Sequence, residues 1–211
     1  MIIYDPISGD AYSKRIYYRP RTCFVITQLG EPIPGLVNKI RRTLNKSLKT
    51  REIKVIDANS VMTGKDFLDK IWSMILSVPL GIAVVTEDMS HNTWANIFYE
   101  IGFMQAVGKE TLIIKTVESE VPSDLVRTEY IDYTTRLKTQ IDKYLDKFFE
   151  QAEHYATMAN ELEQNPLLAI DYLKRAYLIT GEQKYKSKIL DIVLNTSYID
   201  KHSKGIVRDF L

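Results

Sequence analysis

One carboxylate, Glu100, in the stretch Asn92-Thr93-Trp94-Ala95-Asn96-Ile97-Phe98-Tyr99-Glu100-Ile101-Gly102-Phe103, is where chemistry is first expected in this chain. At helical spacing Asn96, Glu100 and Phe103 share one stripe, while Ile97, Ile101 and Met104 share another. The second stripe is the natural core face. The first then looks toward a crevice with Asn92, Thr93 and Trp94 at its mouth. A carboxylate so placed can attack the anomeric carbon of a ribosyl group, or stabilise the oxocarbenium character that develops there. The plain alternative makes Glu100 a solvated helix residue or a partner for Lys109. The residues alone leave both open.

The remaining chemistry-bearing types form no constellation. His91, His154 and His202 lack metal-ligand spacing, so neither a zinc site nor any other metal or cofactor is expected. There is no Gly-x-Ser-x-Gly run and no Cys/His arrangement. Lys65, beside Gly64 at a helix start, and Arg127 are candidates for receiving phosphate, although neither lies in a P-loop.

The elements that must position Glu100 follow from periodicity. Short apolar runs at Thr22 to Thr27, Ile53 to Asp57, Ile82 to Val85 and Thr111 to Lys115 read as buried strands, with a shorter extended piece near Tyr130 to Tyr133. Between them lie helical patterns: Leu36, Ile40 and Leu44 after Pro34, then Phe67, Ile71 and Ile75 after an N-cap at Thr63. The helix carrying Glu100 completes the alternation. Strand–helix alternation with short connections predicts an α/β, flavodoxin-like parallel sheet of about five strands with helices on both faces. The ligand crevice of such a sheet lies outside the carboxyl ends of its strands.

Residues 1–20 read as a tyrosine-rich arm with a hairpin turn at Ser8-Gly9-Asp10, and 21–134 as the α/β domain. From 135 to 211 the pattern is purely helical, with a break at Asn165-Pro166 and a stop at Gly181. This C-terminal extension resembles a helix hairpin of the tetratricopeptide type; a helical cap over the sheet is the alternative.

Composition narrows the partners. Net charge is +1, which gives no electrostatic reason to expect nucleic acid or an anionic membrane surface. The longest apolar run is far short of a membrane span. Cys23 is the lone cysteine, so no intrachain disulfide can form. With no signal-peptide core at the N-terminus, a cytoplasmic location is expected.

The strand Ile82 to Val85, the polar loop Glu87 to Asn92, the run Glu100-Ile101-Gly102 and Gly108-Lys109 before the next strand together resemble the nucleoside 2-deoxyribosyltransferase superfamily. That superfamily is itself similar in architecture to TIR domains, and Trp94 in Asn-Thr-Trp-Ala-Asn is similar to TIR-type NAD hydrolases. The resemblance covers roughly the first 135 residues and implies that Glu100 is the nucleophile on an N-glycosidic bond. It further implies binding roles for Gln28 and Gly30 after the first strand, and for Asp66 or Asp69 on the next helix. Ser123 and Asp124 fall where the family closes its site with a loop; an N-cap is their alternative reading. The chain departs from the transferase pattern at Trp94, where the family has an aspartate, and in the Thr27-Gln28 end of its first strand. These departures favour hydrolysis or binding of a nucleotide or NAD-like N-glycoside over transfer between free deoxynucleosides. The alternative function is a non-catalytic nucleotide sensor whose helical tail engages a protein partner. A site completed across a homo-oligomer interface is also implied.

Overall fold

The computed structural model describes residues 4–5, 8–12, 14–30, 32–58, 67–125, 128–162, 164–196, 207 and 210. Strands β1 (Thr22–Ile26), β2 (Lys54–Asp57), β3 (Leu80–Val85), β4 (Glu110–Lys115) and β5 (Glu129–Asp132) form one all-parallel sheet in the order β2-β1-β3-β4-β5. This is the flavodoxin-like order the alternation predicts. Every residue of β1 and β3 is buried. A strand covered on both faces must be apolar without alternation, which Cys-Phe-Val-Ile and Leu-Gly-Ile-Ala-Val-Val satisfy. The edge strands β2 and β5 are shorter and partly exposed.

Three helices connect the strands: α1 (Gly35–Thr50), α2 (Phe67–Ser77) and α3 (His91–Ala106). The chain steps one way from β1 to β2, then back past β1 to β3 and onward to β4. Right-handed crossovers therefore place α1 on one face and α2 with α3 on the other. Helix α4 (Leu137–Glu161) packs on α1 and β5, so it joins the α1 face. Arg51, at the end of α1, clamps the pair by donating to Asp142 at 2.8 Å and Asp146 at 2.7 Å on α4.

Helices α5 (Pro166–Thr180) and α6 (Gln183–Asn195) continue from α4 as a packed array. One apolar cluster includes Val25 and Ile82 of the sheet together with Leu173 and Ile189 of these helices. The start of α5 is fixed by Asn165, whose side chain accepts from the Leu168 N–H at 3.2 Å, and by Pro166 in its first turn. Its end is Gly181, at φ +76°, whose N–H bonds Tyr177 O at 2.7 Å. A side chain disfavours that left-handed conformation. Gly181→Ala should therefore lower stability by about 1 kcal/mol, read as a shift in denaturant midpoint with unchanged slope.

The arm contains the expected hairpin in brief form: Tyr4 and Ala11 make one antiparallel bridge, and Gly9 turns the chain at φ +76°. No helix among the described residues is long and apolar enough to cross a membrane.

Candidate functional site

Helix α3 leaves the carboxyl end of β3 through the polar turn Thr86 to Ser90. Ser90 is its N-cap, accepting from the Thr93 N–H at 3.2 Å. Its far end closes on Gly108, at φ +73°, with Gly108 N–H bonding Gln105 O and Lys109 N–H bonding Met104 O, both at 2.9 Å. That pairing is a Schellman motif, which accounts for a glycine before β4 by backbone geometry alone. Ile97, Ile101 and Met104 are buried, as the stripe predicts.

Glu100 occupies the flank of this apolar face, half-buried, one turn before Phe103. Phe103 meets Trp72 of α2 edge to face, so this flank of α3 is the one turned toward α2. Among the described residues Glu100 has neither an ion-pair nor a hydrogen-bond partner. Lys109 is not its partner, because that ammonium donates to Leu76 O at 2.9 Å, at the end of α2. Burial alone pushes the Glu100 carboxyl up to about 7. A carboxyl desolvated without a compensating cation holds its proton near neutrality, the condition in which it can serve as acid, base or nucleophile.

The other sequence candidates are distributed as follows. Asn92 and Asn96 lie on the exposed side of α3, on the stripe that leads down to Glu100. Trp94 is half-buried and donates from Nε1 to Thr86 O at 3.0 Å, tying the helix to the loop before it. Gln28 donates to Pro32 O at 3.2 Å, bracing the loop in which Gly30 turns at φ +81°. Asp69 is ion-paired with Lys14 of the arm. Ser123 is exposed and opens a 3-10 turn, Ser123–Leu125, which also contains Asp124. Asp66, Lys65, Arg127 and the proposed cap Thr63 lie outside the described residues.

Two features at the carboxyl edge escaped the reading of the sequence. Thr27, directly after β1, is buried, and its hydroxyl oxygen finds no partner among the described residues. A buried hydroxyl without a partner loses on the order of 1–3 kcal/mol unless something fills the place. Beside it, Thr86 donates to Asp88, while Thr116 bonds Glu87 and also Ser119 at 2.6 Å. Threonine at or directly after the end of the three central runs, at Thr27, Thr86 and Thr116, was the available signal. Strands β1 and β3 flank the point where the connections reverse direction, the usual ligand position in this fold.

The described cavities are elsewhere. One of about 300 Å³ and one of about 260 Å³ both border Lys109 and Glu110, at the amino edge of the sheet. Among the described residues no group of three or more His, Cys, Asp or Glu side chains is placed to hold a metal ion. No protein-family model matches the chain, and no curated protein sequence matches it. The class defined here is therefore architectural: a flavodoxin-like α/β protein with a helical extension and, on the helix after its third strand, a half-buried glutamate that has no partner among the described residues.

Proposed function

We propose that the protein cleaves the N-glycosidic bond of a nucleotide or NAD-like molecule, with Glu100 as nucleophile. The carrying observation is the Glu100 carboxyl itself, half-buried, without a partner among the described residues and pushed up to about 7 by burial. A structural glutamate in that environment would be expected to have a cation or several N–H donors beside it.

In the reaction a Glu100 oxygen bonds the anomeric carbon as the carbon–nitrogen bond breaks, and that electron pair leaves with the base. Water then attacks the anomeric carbon of the glycosyl ester; the carbon–oxygen bond to Glu100 breaks, the carboxylate returns, a proton passes to solvent and the phosphorylated ribose (ADP-ribose from NAD) leaves. A ribosyl-pyridinium is the easiest substrate, because nicotinamide leaves neutral and needs no proton. The Thr27 hydroxyl, without a partner among the described residues and at the strand end where this fold receives its ligands, is the proposed polar group for the sugar or phosphate side.

The test is release of free base from NAD and from nucleoside monophosphates by the full-length chain, followed by chromatography and mass spectrometry. Wild type should release base, and Glu100→Gln should do so slower by roughly 10³-fold or more. Equal rates for the two proteins, or no release by wild type from any of these substrates, would overturn the reading.

A further inference from the structure

The larger cavity lies at the opposite edge of the sheet from the strand ends that flank Thr27. There α5 covers the end of α2 and the turn between α3 and β4, enclosing about 300 Å³. This is the lower end of the range, about 300–1,000 Å³, typical of small-molecule sites. Three cations line it, Lys109, Lys174 and Arg175, against two carboxylates, Glu110 and Asp171. The carboxylates are already engaged. Asp171 accepts from Arg175 Nε at 3.0 Å, and Glu110 accepts from the Tyr155 hydroxyl at 2.7 Å. Arg175 also donates from Nη1 to Gly108 O at 3.2 Å.

The two lysines are served differently. Lys109 donates to one carbonyl, Leu76 O, at 2.9 Å, and Lys174 donates to the Tyr18 hydroxyl. Among the described residues no carboxylate lies within 4.0 Å of either ammonium. Each ammonium carries three donors, so both have N–H groups left over. Burial, with Lys174 and Arg175 adding repulsion that Asp171 offsets only in part, pulls Lys109 down to about 7; burial likewise pulls Lys174 down to about 8 against the attraction of Asp171. Around them the wall is apolar, including Leu76, Ile170, Leu178 and Phe210. Two neighbouring ammoniums, with Asp171 nearby but ion-paired to Arg175 and the Tyr18 ring 4.0 Å from Lys174, leave this apolar hollow with more cationic than anionic charge and room for an anion.

We infer that this recess binds a small molecule with an oxyanion head and an apolar body, the head held by Lys109 and Lys174 and the body lying along the wall formed by α2 and α5. The site is independent of Glu100 and of the glycosidase reading. It joins the helical extension to the turn that ends α3.

Thermal unfolding of the full chain at pH 7 tests it with four probes: octanoate, octyl phosphate, inorganic phosphate and octanol. Octanoate or octyl phosphate should give a saturable rise in Tm of roughly 5 °C, with inorganic phosphate weaker and octanol without effect. Which of the two octyl acids acts more strongly identifies the head as carboxylate or phosphate. Lys174→Met should abolish the response while raising the Tm of the ligand-free protein, because a buried cation without its anion is removed. In wild type alone, octanoate or octyl phosphate should slow acetylation of Lys109 and Lys174, followed residue by residue by mass spectrometry. Failure of both octyl acids to shift the Tm or to protect those lysines would overturn the inference. So would octanol matching the acids, since the recess would then be only an apolar hole.

Discussion

Glu100→Gln should make the protein more stable at pH 8, by about 3 kcal/mol at most, and leave its stability nearly unchanged at pH 4. The sign follows from the proton. In the folded chain the Glu100 carboxyl keeps it up to about 7, whereas the unfolded chain releases it near the ordinary 4.5. Protonated Glu100 therefore contributes its full stability below pH 4.5, and this contribution is lost as pH rises through about 7. Glutamine resembles the protonated form at every pH, so the variant escapes the loss. Urea unfolding at pH 4, 6 and 8 measures the divergence of the two proteins. The same proton governs the proposed reaction: a nucleophile must be ionised, so kcat/KM for base release should climb as pH rises toward and past about 7, roughly tenfold per unit below it. A glutamine variant that is less stable than wild type at pH 8 would show that the carboxylate makes a structural contact, and both expectations would go with it.

Gly81→Ala should destabilise the fold by about 1–3 kcal/mol, although alanine is otherwise better suited to a strand than glycine. The added Cβ would overlap Met104 Sδ and come within 2.7 Å of Met104 Cε, with Ile26 Cδ1 next at 3.8 Å. Met104 is fully buried, so its flexible thioether end must repack within the core to make way. Gly81 thus sets how closely α3 lies on β3, and with it the height of the Glu100 flank above the sheet. Met104→Ala alone should cost about 2–5 kcal/mol through its cavity. In that background Gly81→Ala should be close to neutral, because the overlapping atoms are gone. A double-mutant cycle reads this directly, and additive losses would mean that the close approach is not the reason for the glycine.

Much of the fold was legible in the sequence because its signals are local. Thr22 to Thr27 and Thr111 to Lys115 are short apolar runs bounded by turns, and they become β1 and β4 with boundaries shifted by no more than a residue. Asn165-Pro166 and Gly181 bracket α5 through capping geometry that needs no tertiary partner. The position of Glu100 beside a buried stripe was equally readable, since helical spacing fixes which residues share a face. Its lack of a partner among the described residues was not. Lys109 stands close enough in sequence to pair with it, and the Schellman turn at Gly108 instead directs that lysine to Leu76 O. Asp69 likewise reads as a site residue until the arm folds back and Lys14 takes it.

The division at residue 135 shows the same contrast. The switch from alternating to purely helical pattern is plain in the chain, yet α4 packs on α1 and β5 as well as on α5, and one apolar cluster crosses the division. Sequence determined which segments are strands and helices, and which face of each is apolar, because those depend on side chains a few positions apart. Tertiary structure decided which charges meet. It left Glu100 without a cation among the described residues and gathered Lys109, Lys174 and Arg175 around one cavity, because burial and pairing depend on elements brought together from distant parts of the chain.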